Sequence, residues 1–171
     1  MKIKKVEVGM LQCNCYILEK NNKVLIIDPG DEPEKIKKEI GNKEIISILI
    51  THNHFDHIGA LSYFKNIPIY DYHNLEEKEY QLDDFKFDVI YTKGHSSDSV
   101  TYYFKDENIM FVGDFIFKES IGRTDLPTGN MFEMEESLSK IRKYPSKTII
   151  YPGHGESTTL LSEIRNNPFF N

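Results

Sequence analysis

At 171 residues, 39% hydrophobic and 28% charged, the chain has the composition of a soluble globular protein, long enough for one domain with a buried core. Its formal net charge of −6 disfavours bulk binding to nucleic-acid phosphates, and no stretch approaches the roughly twenty apolar residues of a membrane span. Lys2, Lys4 and Lys5 open the chain, but Glu7, Gln12 and Asn14 interrupt the next stretch, which makes a poor apolar segment for a secretory leader; a cytoplasmic location is expected.

Met1 to Val8, Cys13 to Glu19 and Lys23 to Asp28 read as three strands, with Asn21-Asn22 as the hairpin turn between the second and third. Cys13 and Cys15, the only cysteines, lie two apart on one strand face, poor spacing for a disulfide; they read as small buried side chains in a reducing compartment. Asp28-Pro29-Gly30 ends the third strand. Asp31 is expected to cap a helix with Pro33 in its first turn, a lysine-rich solvated face, and Gly41 at its end.

Glu44 to Ile50 reads as a buried strand that runs into Thr51-His52-Asn53-His54-Phe55-Asp56-His57, and Ile58 opens a helix expected to end near Lys65. Ile67 to Tyr70, containing Pro68, fits an edge strand, and Asn74 to Tyr80 a helical turn or loop. Phe85 to Tyr91, Val100 to Phe104 and Ile109 to Val112 read as strands, followed by a long irregular segment from Phe115 to Asn130. Glu133 to Lys143 carries Met134, Leu138 and Ile141 on one helical face; Lys147 to Tyr151 reads as the last strand and Ser157 to Arg165 as the last helix. A run of strands followed by alternating strands and helices suits two mixed sheets covered by helices.

The H-x-H-x-D-H spacing places three histidines and an aspartate on a loop at the carboxyl end of a strand. In a tight turn His52 and His54 can share one metal while Asp56 and His57 reach toward a second. Gly94-His95, Gly113-Asp114 and Gly153-His154-Gly155 each follow a strand, so four strand ends deliver His or Asp to one edge, and glycine permits the close backbone approach. His73 lies outside any motif and is assigned to the surface. Imidazole and carboxylate donors without thiolate suit zinc, iron or manganese.

These stretches, with Asn14-Cys15-Tyr16, Asp28-Pro29-Gly30 and Ser120-Ile121-Gly122-Arg123-Thr124-Asp125, span nearly the whole chain. In this order they resemble the metallo-β-lactamase-fold hydrolases, and among them the short proteins similar to glyoxalase II. The resemblance implies an αββα sandwich of two mixed β-sheets with two metals, zinc foremost and iron or manganese as alternatives. It implies that His52, His54 and His95 bind the first metal, that Asp56, His57 and His154 bind the second, and that Asp114 bridges them. A metal-bridging hydroxide, lowered in pKa by the two ions, would attack a thioester carbonyl, with Asp56 counted among the catalytic groups. Asp28 is either a partner that orients a ligand histidine or a turn residue before proline. Arg123 is either a contact for the substrate's carboxylate or the partner of Asp125.

Two departures stand out. Two-domain glyoxalase II draws much of its glutathione site from a helical carboxyl-terminal domain that is not expected here, and Gly94-His95-Ser96-Ser97-Asp98-Ser99 replaces the family's G-H-T-P-G-H. The expected activity is hydrolysis of a small-molecule thioester, with no nucleic-acid or membrane partner. A true β-lactamase is disfavoured by the ligand set and by the absence of a cysteine ligand. An iron-dependent persulfide dioxygenase is the rival enzyme, and an inactive metal-binding or structural member of the fold the rival non-enzyme.

Overall fold

The computed structural model describes residues 1–170. Strands Lys2–Val8 (β1), Cys13–Lys20 (β2), Lys23–Ile27 (β3), Glu44–Leu49 (β4) and Ile69–Tyr70 (β5) form one sheet in that order, with helix Pro33–Ile40 (α1) and the short helix Phe55–Ile58 (α2) in its crossovers. The first three strands pair antiparallel, and β3–β4 and β4–β5 pair parallel. The second sheet begins as an antiparallel meander of Glu79–Leu82 (β6), Phe85–Tyr91 (β7), Val100–Phe104 (β8) and Ile109–Gly113 (β9). A small hairpin, Ile116–Phe117 (β10) with Ser120–Ile121 (β11), and helix Met131–Ile141 (α3) come next. Strand Ile149–Pro152 (β12) then adds parallel to β9, Thr158–Thr159 (β13) lines its outer side, and helix Leu160–Asn166 (α4) returns over the sheet.

Side chains along a strand alternate between its two faces, and here both faces of both sheets are covered. Tyr16, Leu18, Leu25 and Ile27 of the first sheet meet Phe87, Tyr102, Phe104 and Phe111 of the second in the central core. On the other face of the first sheet, Ile17, Val24, Ile26 and Ile48 pack with Ile36 and Ile40 of α1. On the outer face of the second, Tyr103, Met110 and Ile150 pack with Met134, Leu138 and Ile141 of α3 and Leu160 of α4. The result is the four-layer αββα sandwich. Among the described residues no helix is long and apolar enough to cross a membrane.

The hairpin turn at Asn21-Asn22 has φ of 48° and 63°, the doubly positive conformation that a two-residue connection between twisted strands requires. Several local expectations are corrected. Asp31 does not cap α1: the residue before the helix is Glu32, in the left-handed region at φ 47°, and Asp31 accepts from the Glu32 amide instead. The helix after the histidine motif does not run to Lys65. It starts earlier, at Phe55, and stops at Ile58, because the Ala60 amide turns away to donate to the Pro29 carbonyl. Only a 3-10 turn over Leu61–Tyr63 continues it. The turn or loop expected over Asn74 to Tyr80 gives way to β6 at Glu79, a half-exposed edge strand paired with β7. The irregular segment after Phe115 contains the β10–β11 hairpin, and α3 starts at Met131 because the Asn130 side chain accepts from the amides of Phe132 and Glu133.

Candidate metal centre

The ends of β4, β7, β9 and β12 meet at one edge of the sandwich. The Val100 amide donates to the Thr51 carbonyl, and the Gly153 amide to the Gly113 carbonyl, so loops from both sheets are tied together. The Gly113 and Gly153 positions admit no side chain: a Cβ on the first would collide with Thr51 Oγ1, and on the second with Asp114 Oδ1. Into this edge come His52 and His54 from the loop after β4, Asp56 and His57 from α2, His95 from the β7–β8 loop, and Asp114 and His154 from the residues after β9 and β12. His73 lies apart, exposed beside Tyr72.

The donors converge in two overlapping groups. His54 Nδ1 lies 3.1 Å from His52 Nε2 and 2.9 Å from His95 Nε2. His154 Nε2 lies 3.2 Å from Asp56 Oδ2 and 3.5 Å from Asp114 Oδ2, while His57 Nε2 lies 3.7 Å from Asp56 Oδ2 and 3.3 Å from Asp114 Oδ1. Asp114 stands between the groups, its Oδ2 also 3.6 Å from His95 Nε2.

The outer ring nitrogens of His52, His57, His95 and His154 are occupied. His57 Nδ1 donates to Asp28 Oδ2 at 2.9 Å, His95 Nδ1 to the Arg123 carbonyl at 2.8 Å, and His154 Nδ1 to the Leu11 carbonyl at 3.0 Å. Thr51 Oγ1 gives its proton to Asp28 Oδ2 at 2.6 Å and so accepts from His52 Nδ1 at 3.1 Å. These bonds orient the rings and turn the Nε2 atoms of His52, His57, His95 and His154 inward. Bare nitrogens at such separations repel unless a cation lies among them. His57 Nε2 and Asp114 Oδ1 are buried without a hydrogen-bond partner, a second sign of the same need. The residues therefore fit divalent metal ions.

The electrostatics divide the histidines into two that are kept neutral and two that are drawn toward a proton, which a metal ion would displace. Burial disfavours the charged form of His52 and His95 and keeps both imidazoles below the usual range, ready to ligate as neutral rings. Burial alone would raise the Asp114 pKa, but the His154 and His57 imidazoles beside it hold it far below the carboxylate range. Burial likewise opposes charge on His154, yet Asp114 and Asp56 push its pKa up to about 10. For His57 the same contest is won by Asp28 and Asp114, and its pKa is raised.

Of the two alternatives for Asp28, the geometry is that of an orienting group: its carboxylate also accepts from the Thr51 amide at 2.8 Å, and its turn conformation, φ 51°, aims it inward. The Arg123 guanidinium makes a two-pronged ion pair with Asp125, through Nε to Oδ1 and Nη2 to Oδ2, both at 2.8 Å. Arg123 also lines the cleft over the donors, a space of about 710 Å³ walled by Leu11, Phe55, Phe117, Leu126 and Pro127.

Three contributors escaped the sequence reading. Thr51 relays Asp28 to His52. Asp98, where the family pattern breaks, accepts from the Asn53 amide and side chain at 3.1 and 2.8 Å and from Ser96 Oγ at 2.7 Å, clamping the residue between His52 and His54. Cys13, buried as expected with its pKa raised by burial to about 11, is not remote: its Sγ and a donor each of His57 and His154 lie within 4.8 Å of one another. No local signal marks Asp98 or Cys13, which act across fold contacts, and although Thr51 stands beside His52 in the motif, its bond to Asp28 is a fold contact.

Comparison with known proteins bears on this edge. The chain is 34% identical to the probable metallo-hydrolase YqgX of Bacillus subtilis over 207 aligned positions, spanning 100% of this chain and 98% of that protein. It is 29% identical to the hydroxyacylglutathione hydrolase GloC of Haemophilus influenzae, spanning 100% and 99%. Among solved structures, the B3 metallo-β-lactamase BLEG-1 superposes with a TM-score of 0.94 at 32% identity over 99% of both chains. TTHA1623 in a di-iron-bound form superposes at 0.90 and 32% over 97% of this chain and 99% of that one. The metallo-beta-lactamase superfamily profile matches residues 8–88 and 74–154, which include every donor described above, and with the fold and these relatives it makes this chain a member of that superfamily, a metal-dependent hydrolase.

Proposed function

We propose that the protein hydrolyses a thioester of the hydroxyacylglutathione kind at a binuclear centre. The observation that carries the metal-dependent reading is the convergence of His52, His54, His95, Asp56, His57, His154 and Asp114 with a ring nitrogen or carboxylate turned inward and the outer nitrogens of His52, His57, His95 and His154 anchored. His52, His54 and His95 would hold one ion, and Asp56, His57 and His154 the other, with Asp114 between them. Zinc suits such nitrogen and oxygen donors; iron and manganese suit them also, and iron occupies the relative TTHA1623. When bound, two such ions lower the pKa of a water and polarise a carbonyl.

The chain's own groups complete the chemistry. Asp56 lines the cleft and its pKa is lowered, since His154, His57 and its own backbone amide together outweigh its burial; its carboxylate accepts a hydrogen bond from the attacking water and orients it. Asp28 keeps His57 in one tautomer and orientation. The apolar walls hold the acyl and thiol parts of the substrate, and Arg123, by exchanging Asp125 for a substrate carboxylate, would set its position. The thioester preference is supported by the resemblance to GloC along the whole chain. A lactam substrate is the second reading, favoured by the TM-score of 0.94 to BLEG-1.

The test is hydrolysis of S-D-lactoylglutathione by zinc-reconstituted protein, with His54→Ala as control and nitrocefin in parallel. Iron-loaded protein is assayed with glutathione persulfide and oxygen. Thioester turnover that vanishes in the variant is expected. Metal-loaded protein that leaves the thioester intact refutes the proposal; nitrocefin cleavage or oxygen uptake in its place names the successor.

A further inference from the structure

Cys13 occupies the first position of β2, where its backbone bridges to that of His154, and it is only 1% exposed. Its side chain is not enclosed by hydrocarbon alone: the thiol faces the ring of His57, and Cys13, His57 and His154 each offer a donor within 4.8 Å of the other two. His57 is itself fully buried, and its Nε2 has no hydrogen-bond partner. Across from the sulfur stands Gly30, where a Cβ would already lie 3.4 Å from Sγ, so the backbone leaves the thiol its place beside the rings. Two donors on one tetrahedral ion at bond lengths of about 2.0–2.3 Å lie roughly 3.3–3.8 Å apart, so this trio must close by no more than about 1.5 Å to share one.

We propose that Cys13 is a thiolate ligand of the metal position held by His57 and His154, making that position a mixed sulfur, nitrogen and carboxylate site that prefers zinc. The inference rests on the metal-centre reading above. It separates the two positions by chemistry: the one held by His52, His54 and His95 has nitrogen donors and the Asp114 carboxylate, whereas sulfur adds a soft donor to the other. On binding, the S–H bond of Cys13 breaks, a sulfur–metal bond forms and the proton passes to solvent. No electron is transferred and no co-reactant is needed.

The test is spectroscopic. Metal-free full-length protein is titrated with Co(II), and a sulfur-to-cobalt charge-transfer band in the near ultraviolet is monitored in wild type, Cys13→Ser and Cys15→Ser. The band is expected with the second equivalent of cobalt, persisting in Cys15→Ser and lost in Cys13→Ser. Zinc X-ray absorption of the unmodified protein, which does not depend on a variant folding, should show a sulfur neighbour at about 2.3 Å. Two cobalt ions bound with no such band, or a zinc shell of nitrogen and oxygen only, overturns the role of Cys13 and leaves the binuclear reading intact. No cobalt bound at all overturns both.

Discussion

Replacing Asp28 by asparagine tests how far the centre depends on a residue outside the set of metal donors. The carboxylate is 2% exposed and accepts three hydrogen bonds, from the Thr51 amide, Thr51 Oγ1 and His57 Nδ1. An amide has one oxygen and one NH₂ in the same space. Wherever the NH₂ points, it faces an N–H or O–H that also donates, so at least one bond is lost and the others fall from charged to neutral. With charged bonds at about 1.5–3 kcal/mol and neutral ones at about 0.5–1.5, the metal-free protein should lose about 3.5–6 kcal/mol. The released His57 ring should weaken the neighbouring ion by about 10- to 100-fold, the usual effect of removing a partner behind a ligand histidine. Denaturant unfolding of metal-free protein reads the first number and competition with a chromophoric chelator the second. An Asp28→Asn protein that holds its second ion within twofold of wild type would refute the orienting role.

Four further outcomes are expected. Chelation should lower Tm by about 8–16 °C, since an ion present at a thousandfold over its Kd adds about 4 kcal/mol and a domain of this size shifts about 2–4 °C per kcal/mol; calorimetry with and without chelator measures it, and a shift under about 2 °C counts against tight binding. Asp98→Ala should release Asn53 and cost about tenfold in affinity for the ion on His52 and His54, read by the same competition assay. Arg123→Ala should raise KM for a carboxylate-bearing thioester and leave kcat and Tm unchanged, because the pair with Asp125 is solvent-exposed; an unchanged KM would confine Arg123 to that pair. Gly153→Ala should abolish binding of the second ion by driving Asp114 and His57 apart, whereas Gly155→Ala, with nothing within 4 Å of its Cβ, should bind both ions and lose only about 1 kcal/mol of stability to its positive φ.

Strand ends and turns encode their geometry locally, and the sequence reveals most there. The Thr51 to His57 spacing, the glycines before His95, Asp114 and His154, and the Asn21-Asn22 turn each state their shape within a few residues. The layers are legible from apolar runs too long to be half-solvated, such as Val24 to Ile27. The start of α3 is also written locally, since Asn130-Met131-Phe132-Glu133 carries the residue pattern of a helix start and its asparagine is the observed cap, but the apolar periodicity alone points to Glu133. Other features have no local signal. The sequence of α2 does not say that Ala60 will bond Pro29 and end it, nor do Cys13 or Asp98 carry a neighbour that betrays their place. Such roles depend on which loops the two sheets bring together.

That dependence ties the centre to the fold as a whole. The anchor of His57 comes from the end of β3, that of His95 from the loop before α3, and that of His154 from the turn between β1 and β2. Each lies 28 or more residues away in the chain, 143 for the last, and the bond that anchors His154 also crosses from one sheet to the other, so that donor is not oriented until the two sheets have closed on each other. Closure then forces unshared lone pairs and a carboxylate into one buried place, which is unfavourable for the chain alone. A divalent cation reverses the sign of that interaction. Metal binding and the docking of the two sheets at this edge are for this reason one equilibrium, and the loops that carry the donors are where the metal-free protein should exchange its amides first.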